Sequence, residues 1–183
     1  MICLRPILFL ACIVVMTSCE RTPSALDDSR FAYESFMQNQ TLSLNADHTG
    51  LRKTITINGK RETRHLNDPD WTQELAPLLD LKFNQNSWNG AFDCDTVQKT
   101  NRISLQYHAT DPGIALRELI CSFSKRDTMI TARTERSNLW FTLQKTMHYN
   151  SRSGYSFTIV QKTRFGNTET TVVEGRFGKN STP

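Results

Sequence analysis

The hydrophobic and polar positions of this chain fall into three regimes. A charge-free apolar run, Ile7 to Met16, comes first. A stretch with apolar residues every three or four positions follows. From Gln40 onward the prevailing period is two, interrupted once. In the second regime, Ala25 to Asn39 predicts a helix. Leu26, Tyr33, Phe36 and Met37 share a side with Ala32 between them, and Phe31 and Ala25 widen the stripe. Pro23 and Ser24 read as its start, with Ser24 as N-cap and Asp27 and Asp28 favourable in the first turn.

In the third regime, Thr41 to Asp47 predicts a short strand with Leu42 and Leu44 on one face, and His48-Thr49-Gly50 a turn. Leu51, Lys53, Ile55 and Ile57 then alternate with Arg52, Thr54 and Thr56, and Asn58-Gly59 is a strong hairpin signal. The returning stretch Lys60 to His65 is almost wholly polar and reads as an edge strand guarded by charge. The interruption is helical. Asp68 reads as an N-cap with Pro69 at the first position, and Trp71, Leu75, Leu78 and Leu79 recur at helical spacing. Pro77 inside that stretch predicts a kink or a break into two short turns. Asn84 to Gly90 is turn-rich.

The second half predicts six or seven strands at short intervals: Ala91 to Lys99, Arg102 to Thr110, Ile114 to Lys125, Asp127 to Glu135, Leu139 to Tyr149, Tyr155 to Phe165 and Thr168 to Phe177. One face of each is apolar, as with Leu139, Phe141, Leu143, Met147 and Tyr149, so one sheet face is expected to be buried. Trp140 is out of phase with its neighbours and predicts a contact site or a bulge. The expected fold class is α+β: a large curved antiparallel β-sheet, a half-barrel-like meander, packed on two helices. One domain is expected over 25–178, with 179–183 a frayed tail.

The first regime changes the picture of location. The apolar run is about half of the ~20 residues a spanning helix needs. Arg5 precedes it and Met16-Thr17-Ser18-Cys19 ends it. This ending resembles the lipobox of bacterial lipoproteins. The resemblance implies a signal peptide over 1–18, diacylglycerol on the thiol of Cys19, and a lipidated tether over 19–24. A plain signal peptide cut near Ser18 is the alternative. Glu20 follows the cysteine where inner-membrane retention in enteric bacteria uses Asp. That analogy points to the outer membrane, on its periplasmic or surface face. The implied partner is membrane lipid through the anchor. The continuous apolar sheet face adds the expectation of a binding or carrier protein for a hydrophobic ligand (lipid or acyl chain), with a structural or accessory subunit of an envelope complex as the alternative.

Charge and cysteine content narrow the chemistry. The formal net charge is +4 and falls by one without Arg5, too mild to argue for nucleic acid. Of five cysteines, two leave with the signal and Cys19 is the lipidation site. Cys94 and Cys121 remain, and in an exported protein they can pair as a disulfide. His48, His65, His108 and His148 have no metal-binding spacing, and Asp93-Cys94-Asp95 lacks the second cluster that zinc needs. No nucleophile or phosphate-cradling motif occurs, so the chain reads as non-catalytic with neither cofactor nor metal. Arg52, Lys60, Arg61 and Arg64 concentrate positive charge, either as a solvated edge or as a contact to anionic headgroups. Trp71, Leu75, Phe83, Phe141 and Phe157 are the candidate lining of an apolar pocket, with simple core as the alternative.

The order of elements over roughly 24–178, together with size and compartment, resembles the half-barrel family of bacterial lipoprotein-handling proteins (LolA/LolB-like). That resemblance implies a curved sheet around a cavity for acyl chains. It rests on architecture and assigns no residue a role.

Overall fold

Alternation of apolar and polar residues builds one sheet. The computed structural model describes residues 31–85, 88, 90–166 and 168–178. The signal-peptide, Cys19 and Ser24 readings lie outside the described residues. A helix α1 (Tyr33–Ala46) comes first, then strands β1 (Gly50–Ile57) and β2 (Lys60–Leu66). Two single-turn helices follow, α2 (Trp71–Glu74) and α3 (Ala76–Leu79). The rest is a meander: β3 (Phe92–Lys99), β4 (Arg102–Ala109), β5 (Leu116–Ser124), β6 (Thr128–Ser137), β7 (Phe141–Asn150), β8 (Gly154–Thr163) and β9 (Thr168–Gly178). All nine strands pair antiparallel in the order β2-β1-β9-β8-β7-β6-β5-β4-β3, so the sheet stays open with β2 and β3 as its edges. Among the described residues no helix is long and apolar enough to cross a membrane.

The first helix differs from expectation at its C-terminal end. Thr41 to Asp47, read as a strand from Leu42 and Leu44, continues α1. Met37, Thr41 and Leu44 lie at i, i+4 and i+7 and are buried, while Leu42 is 65 % exposed. The Thr41 hydroxyl donates to the Met37 carbonyl at 2.9 Å, which suits a helix interior. His48, at φ 46°, ends the helix, and the Thr49 amide returns to the Leu44 carbonyl. The start of α1 is capped from far away. Asn84 Oδ1 accepts from the Tyr33 amide at 2.9 Å, and Glu34 Oε1 accepts from the Asn84 amide at 2.5 Å.

Asn58 and Gly59 both have positive φ, as a two-residue hairpin turn requires. β2 is polar and exposed along most of its length, the expected edge strand. The cap of α2 is Asp70 rather than Asp68: its carboxylate accepts from the amides of Thr72 and Gln73. Pro77 sits in the first turn of α3, and the expected helix is broken into two short turns.

The helices cover one end of one sheet face. Tyr33, Trp71, Leu75, Leu78 and Phe83 bring the helical side of the core to Leu51, Tyr107, Leu119, Cys121, Ile130 and Tyr149 of the sheet. The Phe83 ring meets Tyr107 at 4.7 Å and Phe92 at 5.3 Å, and Trp71 meets Phe177 edge-on at 5.2 Å. Polar tips are satisfied inside. The Tyr33 hydroxyl donates to the Leu78 carbonyl, the Trp71 indole to the Thr49 carbonyl and the Tyr149 hydroxyl to Gln40 Oε1. Each large side chain removed from water contributes ~1.5–3 kcal/mol, so this aromatic cluster fixes the helices on the sheet. A bulge between Leu116 and Glu118 on β5 lets Leu116 and Leu119, three apart, both turn inward.

Candidate functional site

One open volume of the described structure lies beside the filled core rather than within it. A cleft of about 610 Å³ runs between the α3 segment and the start of β5 with the tip-side halves of β6 and β7. Ala115, Leu116, Leu143 and Met147 give it apolar walls, and Pro77, Leu81 and Trp88 close the helical side. The β5 bulge places Leu116 there. The Glu135 amide bonds the Ala115 carbonyl at 2.8 Å, which holds the strand leading into that bulge.

Charge is unevenly placed on this cleft. Lys82, Arg136 and Lys145 line it, against one carboxylate, Asp80. Strand alternation explains two of these positions. Lys145 falls in phase with Leu143, Met147 and Tyr149, and Arg136 in phase with Ala132 and Ile130. The register puts Arg136 directly opposite Leu143 and Lys145 opposite Thr134. Both cations therefore sit on the face that is core further along the same strands. None of the three cations has an ion-pair partner within 4.0 Å among the described residues. A half-buried, unpaired lysine favours an anion arriving from outside. The arrangement suits a molecule with an apolar body and an anionic end.

The structure separates the residues expected to line a pocket. Trp71, Leu75, Phe83 and Phe157 are between 0 and 4 % exposed and are packed core. Phe141 is 37 % exposed and lies outside the cleft, two residues from Leu143 on the same face. None of the five lines the cleft. The signal that marks the true lining is a gap in the apolar register: Lys145 interrupts Leu143 and Met147, and Arg136 stands where an apolar residue would continue the face.

The basic concentration is divided by the same alternation. Arg52 and Arg61 share the sheet face away from the helices, where they form a small depression with Arg176 and Glu174. Lys60 and Arg64 point to the other face, opposite Ile57 and Lys53. Arg64 is held by Glu62 at 2.6 Å, and Arg61 reaches Glu174 at 4.0 Å. These four residues are not one patch.

Cys94 and Cys121 are not bridged. Cys94 on β3 pairs with Tyr107, and Cys121 on β5 pairs with Leu105, so β4 runs between them. Two strand spacings amount to ~10 Å, beyond the ~7 Å reach of a disulfide. Cys94 is exposed and Cys121 fully buried. Burial pushes the Cys121 thiol up to about 12, with Cys94 adding to the shift. Among the described residues no group of three His, Cys, Asp or Glu side chains is placed to hold a metal ion. Trp140, expected in a strand, occupies the turn before β7, which accounts for its phase.

A second polar cluster is structural. Asp127, in the turn between β5 and β6, accepts from Arg102, Ser124 and Asn150 at 2.9, 2.5 and 2.8 Å. The Ser124 and Asn150 hydrogen bonds, aided by the Arg102 guanidinium, hold its carboxyl below the usual range.

Comparisons with protein-family models, with curated proteins and with solved structures gave no match.

Proposed function

We propose that this chain is a lipid-anchored bacterial envelope protein that binds an acyl-bearing, anionic amphiphile in the cleft between α3 and β5–β7. The observation that carries the reading is the pairing of apolar walls with three cations that have no ion-pair partner among the described residues, around a cleft of about 610 Å³. That volume is within the ~300–1,000 Å³ typical of small-molecule sites. Half-buried Leu143, Ala115 and Pro77 meet the hydrocarbon, with buried Leu116 and Met147 behind them, and Arg136 and Lys145 take the acidic group. Binding is burial and charge pairing, without covalent chemistry. The finer likeness to the half-barrel lipoprotein-handling family belongs to this reading, supported by a long antiparallel sheet with helices on one face. The anchor at Cys19 is supported by the Met16-Thr17-Ser18-Cys19 ending.

A second reading, an accessory subunit of an envelope complex, is favoured by the filled aromatic core around Tyr33, Phe83 and Tyr107. Titration with a fluorescent long-chain fatty acid separates the two. The carrier reading expects saturable binding at one site, weakened about tenfold or more by Lys145→Glu, since one charge-assisted contact is reversed. Binding that is absent, or that is unchanged in Lys145→Glu and in Leu143→Trp, rejects it in favour of the subunit reading.

A further inference from the structure

The turns between β6 and β7 and between β8 and β9 lie side by side at one end of the sheet. Thr163 is opposite Phe141, and beyond them the Arg164 amide donates to the Trp140 carbonyl at 2.9 Å. Both turns present large apolar side chains to solvent. Leu139 is 66 %, Trp140 64 % and Phe165 84 % exposed, and Phe141 adjoins them. This exposure is built into the backbone. Asn138 Oδ1 accepts from the amides of Trp140 and Phe141 at 2.8 and 2.9 Å, and the Asn138 amide donates to the Phe141 carbonyl at 2.9 Å. A tight turn made by an asparagine therefore holds Leu139 and Trp140 outward. Four such residues at one corner form a patch that calls for a covering surface.

The chemistry of the fringe selects the cover. The Arg164 guanidinium stands 5.4 Å from the centre of the Phe165 ring. Lys162 and Arg136, both exposed, flank the two turns. Of the nearby acids, Glu135 is engaged by Gln144, and Glu169 lies across from Gln161 rather than beside the aromatic tips. Apolar and aromatic tips ringed by arginine and lysine match the boundary between acyl chains and anionic headgroups. The apolar residues also sit on hairpin tips rather than in a groove, so whatever covers them lies beyond the end of the sheet.

We infer that this corner docks on a lipid bilayer bearing anionic headgroups. The docked corner adjoins the cleft. Phe141 is two residues from Leu143 on one face, and Leu143 with its cross-strand neighbour Arg136 lines the cleft. An acyl chain leaving the bilayer passes over Phe141 into the cleft without crossing bulk water. This route rests on the cleft reading, whereas docking itself does not.

The test uses the full chain reconstituted into vesicles of phosphatidylcholine and phosphatidylglycerol in equal amounts, with bromine on the acyl chains as quencher. Of the other two tryptophans, Trp71 is 1 % exposed and half-buried Trp88 lines the cleft, so the difference between wild type and Trp140→Phe, rather than total quenching, reports on the tip. Wild-type emission is expected to be quenched at least about twofold more than that of Trp140→Phe. The double variant Lys162→Glu, Arg164→Glu, which leaves the cleft untouched, is expected to lose most of that difference, as is the wild type in high salt. Thermal melts of each variant establish that the fold is retained, and Leu139→Asp with Phe165→Asp repeats the test without touching a tryptophan. Equal quenching in wild type and Trp140→Phe overturns the inference. A protein that binds the fatty-acid probe while Trp140 stays unquenched overturns docking alone. A protein whose Trp140 is quenched but which binds no probe upholds docking and rejects the cleft reading.

Discussion

The hydroxyl of Tyr155 on β8 donates to the carboxylate of Glu74 on α2 at 2.5 Å, across 81 residues of chain. Lys53 on β1 donates to both oxygens of the same carboxylate, at 2.9 and 2.7 Å. One helical carboxylate thus ties a short, otherwise marginal helix to two strands. Glu74 is 12 % exposed, so its charge is shielded from water and depends on these donors. Tyr155→Phe is expected to cost about 1–3 kcal/mol, the worth of a hydrogen bond to a charged group. Urea denaturation with an unchanged slope and a lowered midpoint is the measurement that checks it.

The ring of Tyr155 has a second dependence. It lies against Gly175, its cross-strand neighbour on β9, so closely that a Cβ there would collide with the ring. Gly154, at φ 134°, likewise has no room for a Cβ beside the Gly175 carbonyl. Gly175→Ala is expected to cost about 1–3 kcal/mol by forcing the ring aside. Combined with Tyr155→Phe it should be less than additive, because both changes disturb one contact. A double-mutant cycle in urea that proves additive would show the two positions to be independent.

The two described cysteines should differ in reactivity. Alkylation followed by peptide mapping is expected to label Cys94 in the folded protein and Cys121 only in denaturant. Burial pushes the folded Cys121 thiol up to about 12, above the ordinary value of about 8.5. Its neutral form therefore favours the folded state, a contribution fully present below about pH 8.5 and lost as pH rises toward 12. Tyr33, Tyr149 and Tyr155 act in the same direction, since burial raises each of them above 10. Cys121→Ala should flatten the alkaline fall of the melting temperature at its lower end, between about pH 8.5 and 10.

At acid pH the relevant group is Asp127. Its folded carboxyl is held low by Ser124 and Asn150 first, with Arg102 assisting. The stability it adds is complete above about pH 4, its unfolded range, and is lost as pH falls through the lowered folded value. Asp127→Asn should therefore lower the melting temperature at neutral pH and show a shallower loss below pH 4 than the wild type. Parallel acid limbs in both proteins would assign the acid sensitivity to other carboxylates.

Much of this architecture was legible in the chain. Asn58-Gly59, the polar β2, the break at Pro77 and the seven-strand meander all follow from turn chemistry and period two. The errors share a physical cause. The ends of α1 are set by tertiary contacts: Asn84 caps its start from 51 residues away, and the burial of Thr41 and Leu44 overrides a local alternation. The bulge at Leu116 shifts the inward phase of β5 by one residue, which periodicity alone does not show. For the site, strong apolar residues such as Trp71 and Phe83 pointed to the core. The cleft was instead marked by cations in core phase, Arg136 and Lys145, which become informative only when the strands are side by side.

The central claim is that the cleft holds an acyl-bearing anion, and native mass spectrometry of the full chain, released from membranes in mild detergent, tests it most directly. The wild type is expected to carry a non-covalent adduct of lipid mass, in addition to any covalent lipid at Cys19. The adduct should be lost in Leu143→Trp, which fills the cleft, and depleted in the Arg136→Glu, Lys145→Glu double variant. Bare wild-type protein, or an adduct equally abundant in all three proteins, would contradict the account.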